Sequence, residues 1–154
     1  MTDLIDGVKI KKLVTHIDER GWLFEILRSD DDVFQKFGQV YITSVRSGVV
    51  KAWHCHAIQY DNFCAVSGTV KLVLADLRED SPTHGKINEF VFGDDNRLLI
   101  TIPPHVHHGI KGLSPQPALI LNCPTEPYNH QNPDEIRLPH DTDLIDYDWD
   151  PEVG

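Results

Sequence analysis

Two histidines, His54 and His56, stand two residues apart in a segment that runs from Gly48 to Gly68. Because successive side chains of a β-strand point to opposite faces, two residues at this spacing leave the same face of a strand. Asp61 follows after four intervening positions, so a hairpin could bring two imidazoles and one carboxylate together inside a small barrel. Imidazole and carboxylate groups together are typical of a proton-transfer site or of a metal site. The segment therefore favours a fold in which neighbouring strands converge on a polar centre.

The length and composition of the chain are those of one compact domain. It has 154 residues, of which 40% are hydrophobic, and this is enough for a sizeable core. No stretch approaches the roughly 18 apolar residues that span a bilayer, and the N-terminus lacks the apolar region of a signal peptide. Three cysteines in no zinc-like spacing favour reduced thiols and a cytoplasmic location. The formal net charge of −10 argues against nucleic acid or a membrane as a partner.

Short apolar runs separated by glycine, proline, aspartate and asparagine predict an all-β fold. Ser67-Gly68 and residues 93–96 are tight-turn signals. One short helix is predicted at residues 30–37, with Ser29 or Asp30 as its cap. Strands at this spacing predict a jelly-roll-like barrel, in a single domain over residues 1–154 with a barrel core at about 39–123 and an irregular tail at 124–154. The predicted strands are 8–16, 22–27, 39–45, 49–54, 62–67, 69–77, 87–92, 98–102 and 118–122.

A second histidine-rich segment, residues 103–109, reads Pro-Pro-His-Val-His-His-Gly. The two segments resemble the two motifs of the cupin superfamily. The first matches in every spacing, with Asp61 in place of a glutamate. In the second, the proline and His108 match, while His105 replaces a glycine. The resemblance implies a cupin jelly-roll barrel, but it says little about activity because this fold carries many activities. His105 and His107 are expected in a loop or at the rim of the pocket.

A closer resemblance covers most of the chain. Several segments occur in the same order as in the dTDP-4-dehydrorhamnose 3,5-epimerase family, and the chain is similar to a divergent member of it. The matching segments are Asp18-Glu-Arg20-Gly21, Lys51-Ala-Trp-His54, Asp76-Leu-Arg78 with Ser81-Pro-Thr83, and Thr125-Glu-Pro-Tyr128.

The resemblance implies an isomerase that epimerises a nucleotide-linked 4-keto-6-deoxy sugar in cell-surface polysaccharide or deoxysugar biosynthesis. His54 would be the base that removes a proton next to the ketone, Asp141 the carboxylate that orients it, and Tyr128 the acid on the opposite face. These residue types suit the chemistry, because a neutral imidazole near its operating pH is an efficient base and a carboxylate fixes its tautomer. The reaction implied needs no cofactor, and the protein would work as a homodimer.

The same resemblance implies a set of substrate-binding residues. Its N-terminal members reach into the neighbouring subunit in the family, which leaves open an exchange of the N-terminal strands, residues 8–28, within the dimer. Lys51 stands where the family has an arginine for phosphate, and it keeps the charge but loses the bidentate geometry. The substrate-binding residues implied are Arg20, Glu25, Gln39, Lys51, His56, Asp61 and His108.

One departure from the family leaves alternatives open. A lysine that helps to stabilise the enolate is expected at the position of Asp61, and an anion about 4 Å from a developing enolate would cost on the order of 4 kcal/mol at an effective dielectric near 20. In one alternative, a metal-dependent cupin enzyme, a single divalent metal ion is held by His54, His56, Asp61 and His108; this would occupy the base. Another alternative is a non-catalytic sugar-binding cupin, in which the histidines only line a pocket.

Overall fold

The computed structural model describes residues 3–150, and within that range it contains twelve β-strands and no α-helix. This part of the chain therefore contains no helix that is long and apolar enough to cross a membrane. The prediction of an all-β fold is confirmed. The strands are β1 Lys9–Lys12, β2 Thr15–Asp18, β3 Gly21–Phe24, β4 Tyr41–Val45, β5 Val50–Cys55, β6 Asp61–Ser67, β7 Thr69–Asp76, β8 Ile87–Gly93, β9 Leu98–Ile102, β10 Val106–Gly112, β11 Ala118–Asn122 and β12 Ile136–Arg137.

Ten of these strands form two five-stranded antiparallel sheets. The first sheet has the order β1-β9-β6-β11-β4 and the second the order β12-β5-β10-β7-β8, while β2 and β3 form a separate hairpin. From β4 to β12 the chain passes to the other sheet at every connection except β7 to β8. The turn at Ser67-Gly68 therefore joins strands of opposite sheets, and Gly68 has a φ of 75°, which glycine adopts without strain. This course of the chain is that of a jelly roll, as predicted.

The main core lies between the two sheets, and β7 shows why the sequence folds this way. Val70, Leu72 and Leu74 alternate along β7 and are buried in this core, while Val73 and Ala75 point to the opposite face and are buried in a second cluster. Because both faces are covered, the strand reads as an almost continuous apolar run. Truncating such a fully buried leucine to alanine costs about 2–5 kcal/mol.

The second cluster is formed by the C-terminal tail on the outer face of the second sheet. Ile145 and Trp149 from the tail pack there against Trp53 of β5. The close approach depends on Gly109, because an added Cβ would lie 2.4 Å from the Cβ of Ala52 and 2.8 Å from the Trp149 ring. The tail is thereby held along β5, where β12 pairs with it.

The helix predicted at residues 30–37 is wrong, because this segment forms turns. The carboxylate of Asp31 accepts hydrogen bonds from the backbone N–H of Arg28 at 2.8 Å and from Lys11 at 2.5 Å. The N–H of Phe34 bonds to the carbonyl of Asp31, which is a single turn that does not propagate. Val33 is buried under the first sheet. Local side-chain bonds and one anchoring residue therefore replace the helical ladder.

Two strand predictions also need correction. The predicted strand 8–16 divides into β1 and β2, which pair with different partners. No strand was predicted at Val106–Gly112, yet β10 lies at the centre of the second sheet between β5 and β7. Its sequence, VHHGIKG, contains two histidines, a lysine and two glycines, so it lacks the apolar pattern of a central strand.

Candidate active site

A cavity of about 480 Å³ opens between the two sheets, with the tail forming one side. Strands β4, β5, β6 and β10 contribute its walls, and the residues after 125 form its rim. Two of the three predicted catalytic residues line the cavity, His54 and Tyr128. Five of the seven predicted substrate-binding residues also line it, namely Gln39, Lys51, His56, Asp61 and His108.

His54 lies on β5, where it stands opposite Arg137 of β12 in the strand register. Its Nδ1 is 2.7 Å from a carboxylate oxygen of Glu135. The other oxygen of Glu135 accepts a hydrogen bond from Arg137 at 2.9 Å. A carboxylate at Nδ1 fixes the proton on that nitrogen, and Nε2 then carries the lone pair that can accept a proton.

The pairing of His54 with Asp141, expected from the sequence, is not present in this structure. Asp141 is exposed, its nearest ionic partner is His140 at 3.9 Å, and it does not line the cavity. Glu135 holds the position beside His54 instead, because it directly precedes β12, which pairs with β5. The carboxylate that contacts His54 is therefore that of Glu135.

His56, Asp61 and His108 form a buried cluster at the inner wall of the cavity. One carboxylate oxygen of Asp61, Oδ2, lies 3.3 Å from Nε2 of His56 and 3.3 Å from Nε2 of His108. The other oxygen, Oδ1, accepts hydrogen bonds of 2.8 Å from the side-chain amides of Gln59 and Asn122. Within residues 3–150, this is the one group of three or more possible metal-ligating side chains whose donor atoms all lie within 4.8 Å of one another.

His54, the fourth residue of the metal set considered above, is not among the side chains of this group. Its Nδ1 is engaged by Glu135 on the tail side, although its ring stacks at 6.3 Å from that of His108. The ring of His56, by comparison, lies 5.8 Å from that of His108. The structure thus contains two separate arrangements. His54 contacts the carboxylate of Glu135, whereas His56 and His108 lie around the carboxylate of Asp61.

The tail also fixes His56 and the loop that follows it. Nδ1 of His56 contacts the backbone carbonyl of Asp134. The carboxylate of Asp134 accepts hydrogen bonds from three successive backbone N–H groups, those of Ala57, Ile58 and Gln59, at 2.8–3.1 Å. Burial raises the pKa of Asp134, but these bonds outweigh it and hold the pKa below its ordinary value. The loop between β5 and β6 is therefore tied down from the tail.

Burial and charge act in opposite directions on the ionisable groups of the site. Burial raises the pKa of Asp61, but the two imidazoles outweigh it and the carboxyl group titrates below its ordinary range. Burial lowers the pKa of His56, but Asp61 raises it above the ordinary histidine value. For His108 burial dominates and lowers the pKa to about 4, so this ring is neutral at pH 7. Burial raises the pKa of Glu135, but bonds from Arg137 and His54 lower it overall, so Glu135 is ionised.

Two predicted substrate-binding residues lie outside the cavity. Arg20, in the turn between β2 and β3, is exposed and pairs with Asp18. Glu25 pairs with Arg28 on the surface. Of the pocket-rim histidines, His105 lies in a turn as expected, with a φ of 63°, whereas His107 is part of strand β10 and faces away from the cavity.

The sequence reasoning missed several residues of the site. Glu135 and Asp134 lie in the tail, which has no regular apolar pattern from which its path could be predicted. The one available signal was a pair of carboxylates after a proline. Gln59 and Asn122 hold Asp61, and Tyr41 accepts a hydrogen bond from Asn122 at 3.0 Å. Such supporting amides carry no spacing pattern that a single sequence reveals.

Taken together, the jelly roll and the cavity lined by histidines and carboxylates are those of a cupin-type fold. The model of the dTDP-4-dehydrorhamnose 3,5-epimerase family matches residues 2–154, so the chain belongs to this family, as the sequence motifs indicated.

Relatives of this chain cover nearly all of it. It is 41% identical over 149 residues to the spore coat polysaccharide biosynthesis protein SpsL of Bacillus subtilis, spanning 97% of this chain and 99% of that protein. It is 40% identical over 151 residues to a probable low-salt glycan biosynthesis epimerase of Haloferax volcanii, spanning 97% of each chain. The crystal structure of a dTDP sugar isomerase from Desulfovibrio desulfuricans superposes with a TM-score of 0.89 at 33% identity, over 94% of this chain and 92% of that one.

Proposed function

We propose that the protein is an epimerase that removes a proton from a carbon next to the C4 ketone of a nucleotide-linked 4-keto-6-deoxy sugar, in cell-surface polysaccharide or deoxysugar biosynthesis. The observation that carries the proposal is the pair of His54 and Glu135 at the wall of the cavity, with a 2.7 Å contact at Nδ1. This contact leaves Nε2 as the basic nitrogen, and a carboxylate at Nδ1 stabilises the imidazolium that forms when the base takes up a proton.

Tyr128 is the proposed acid that returns a proton to the opposite face of the sugar. It lies on the rim of the cavity, about half exposed, with its ring against His130 at 4.9 Å between centroids. A phenol has a high ordinary pKa and can therefore donate a proton to an enolate carbon without being ionised beforehand. The proton transfers themselves need neither a redox cofactor nor a covalent intermediate.

Lys51 and Gln39 are proposed to hold the nucleotide end of the substrate. Both line the cavity, and the ammonium group of Lys51 contacts the hydroxyl of Thr43 and the carbonyl of Ser44 at 3.3 and 2.6 Å. These are neutral acceptors, so the charge of Lys51 remains available to a diphosphate.

We propose that Arg20 and Glu25 act in the partner subunit of a homodimer. Neither lines the cavity of its own chain. The hairpin of β2 and β3 that precedes Glu25 exposes large apolar side chains at Ile17, Trp22 and Leu23, each more than half accessible to solvent. Such a patch is typical of a surface that is covered in an assembly.

Solvent-exchange measurements test the proposed reaction. A dTDP-linked 4-keto-6-deoxy sugar incubated with the protein in D2O should take up deuterium at C3, at C5 or at both, and mass spectrometry with NMR identifies the carbon. Replacing His54 with alanine should abolish the exchange while calorimetry still detects nucleotide-sugar binding. Absence of exchange with the unmodified protein, despite binding, would favour the non-catalytic sugar-binding alternative.

A further inference from the structure

The guanidinium of Arg137 and the ring of His54 contact the two oxygens of one carboxylate. Nδ1 of His54 is 2.7 Å from Oε1 of Glu135, and Nη2 of Arg137 donates a hydrogen bond to Oε2 at 2.9 Å. Arg137 stands opposite His54 in the register of β12 and β5, so the two side chains leave the same face, and both residues line the cavity. A permanent cation is thereby held beside the proposed base.

The contact with Glu135 leaves most of the guanidinium free. The side chain of Arg137 is 69% exposed, and within residues 3–150 it has Glu135 as its one hydrogen-bond partner. A guanidinium has five N–H donors, and this bond uses one of them. An ion pair this exposed contributes little to the stability of a fold, so structure alone does not account for Arg137 at this position. The remaining donors are available to a ligand in the cavity.

The charge balance of the cavity limits which anion it can hold. The chain has a formal net charge of −10, and an anion enters only where local cations offset that charge. Among the described residues that line the cavity, Lys51 and Arg137 carry the permanent positive charges. A nucleotide sugar carries one negative charge on each of its two phosphates, which matches one cation to each phosphate. The cavity is also lined by the carboxylates of Asp61, Glu126, Asp134 and Glu135.

Arg137 suits the phosphate that lies nearer to the reacting carbon. The planar fork of an arginine binds two phosphate oxygens at once, whereas the ammonium group of a lysine is a point charge on a flexible stem. In a nucleotide sugar this phosphate is bonded through oxygen to C1, and C3 and C5 are each separated from C1 by one ring atom. A phosphate fixed at Arg137 therefore keeps either carbon close to the base that Glu135 contacts.

We propose that Arg137 binds the phosphate attached to C1 of the sugar, while Lys51 binds the phosphate on the nucleoside side. This assignment rests on the proposed function and adds a residue to its binding site. Arg137 determines specificity, because it requires a second phosphate on the nucleotide. It also positions the sugar, because the phosphate and the base are then held on either side of Glu135. Binding energy from a part of the substrate that does not react thereby aligns the part that does.

Calorimetry with dTDP and dTMP tests the binding step without turnover. Arg137→Gln should weaken dTDP binding at least about 10-fold, because charge-assisted hydrogen bonds are lost, and dTMP binding less than about twofold, because dTMP lacks the second phosphate. The matched control is Arg46→Gln, which removes the same charge from an exposed residue outside the cavity and should change neither affinity. No loss for dTDP, or an equal loss for dTMP and dTDP, would overturn the proposal.

A second pair of variants distinguishes a direct contact with phosphate from an effect through Glu135. Because Glu135 is an anion beside the proposed phosphate, Glu135→Gln should leave dTDP binding unchanged or strengthen it up to about threefold. Arg137→Lys keeps the charge without the fork, so it should bind dTDP more weakly than the wild type but at least about threefold more tightly than Arg137→Gln. Weakening of dTDP binding by Glu135→Gln, as large as that of Arg137→Gln, would overturn the direct contact.

Steady-state kinetics then separate positioning from binding alone. Arg137→Gln should raise KM at least about 10-fold and also lower kcat about 10-fold, whereas Lys51→Gln should raise KM with little change in kcat. An unchanged kcat in Arg137→Gln would overturn the positioning role.

Deuterium exchange separates this site from the reaction. The predicted dTDP affinities together with no exchange by the wild-type protein would contradict the epimerase proposal and leave the phosphate site standing. Normal exchange together with unchanged dTDP binding in Arg137→Gln would overturn the phosphate site and leave the epimerase proposal standing.

Discussion

The cavity contains histidine in two kinds of contact with a carboxylate, and they differ in which ring nitrogen the carboxylate meets. In the first, Glu135 contacts Nδ1 of His54. In the second, Asp61 contacts Nε2 of both His56 and His108, whose Nδ1 atoms face backbone carbonyls. The first contact leaves Nε2 of one ring with the lone pair that can accept a proton, whereas the second places a buried carboxylate between two rings.

The difference shows that residue types and spacing do not determine what a histidine does. His54 and His56 are two residues apart, yet their contacts to the tail run through a carboxylate in one case and a backbone carbonyl in the other. Exposure differs as well, because the side chain of His54 is 29% exposed and that of Asp61 only 2%. A group that must exchange protons with a substrate needs the more accessible position.

The largest effect is expected from removing the proposed base. His54→Asn should lower the rate of epimerisation at least about 1,000-fold, because the other two imidazoles of the inner wall, those of His56 and His108, direct Nε2 at Asp61. Steady-state kinetics and deuterium exchange measure the loss, and calorimetry should still detect binding of the nucleotide sugar. Full activity of this variant would mean that His54 is not the base, and the contrast between the two contacts would fail.

Glu135→Gln should lower kcat about 100-fold with little change in KM, because glutamine can accept the Nδ1–H bond but cannot stabilise an imidazolium with charge. The split between kcat and KM distinguishes this positioning role from a loss of structure. Asp141→Asn is the matched control, and it should change kcat less than twofold because Asp141 is exposed and outside the cavity. If the two variants exchange these results, the pairing expected from the sequence is right and the one described here is wrong.

A third carboxylate, that of Asp76, extends the comparison to a buried group outside the cavity. Its side chain is fully buried, bonds to Arg78, Ser81 and Thr83 at 2.6–2.9 Å, and does not line the cavity. Asp76→Asn should therefore lower the free energy of unfolding by about 2–3 kcal/mol, a factor of roughly 30–150 in the folding equilibrium, without lowering the rate of epimerisation by the folded protein. Urea denaturation at pH 6 measures this difference.

The same carboxylate gives a pH dependence with a definite sign. Burial raises the pKa of Asp76, but its bonds outweigh burial and hold the pKa well below the ordinary value. A group with a lowered folded-state pKa stabilises the fold fully above its unfolded value, about 3.9, and the stabilisation is lost as the pH falls from there through the folded value. Wild-type stability should decline more steeply below about pH 4 than that of the Asp76 variant. Equal declines in the stability of the two proteins would show that Asp76 does not cause this pH dependence.

The smallest effect is expected at the outer edge of the buried cluster. Tyr41→Phe removes the hydroxyl that accepts a 3.0 Å bond from Asn122, while the bond from Asn122 to Asp61 remains. We expect kcat/KM to fall no more than about threefold, in keeping with roughly 0.5 kcal/mol for one neutral hydrogen bond. A fall of 10-fold or more would mean that Tyr41, and not the amide, sets the position of Asp61.

The sequence predicted the fold class and the meeting of His54, His56, Asp61 and His108, because β-strand periodicity and motif spacing are local properties of the chain. Prediction from the sequence failed where tertiary contacts determine the local structure. The turns at residues 30–37 are set by Asp31 and its partners, and β10 is a central strand in spite of its polar sequence. Asp141 and not Glu135 was expected beside His54, because the tail has no regular apolar pattern. Its path is fixed by contacts with β5.

Asp134 and Glu135 are consecutive, and between them they fix the protonated nitrogen of both His56 and His54. These contacts span 78 and 81 residues of chain. Contacts so distant in sequence carry a larger loop-closure cost than local turns do. During synthesis, a nascent chain that ends before residue 134 already contains β1 to β11 and most of the cavity wall, but neither histidine has its tautomer set. The protonated nitrogen of each histidine therefore depends on two neighbouring residues of the tail and not on the strand that carries the rings.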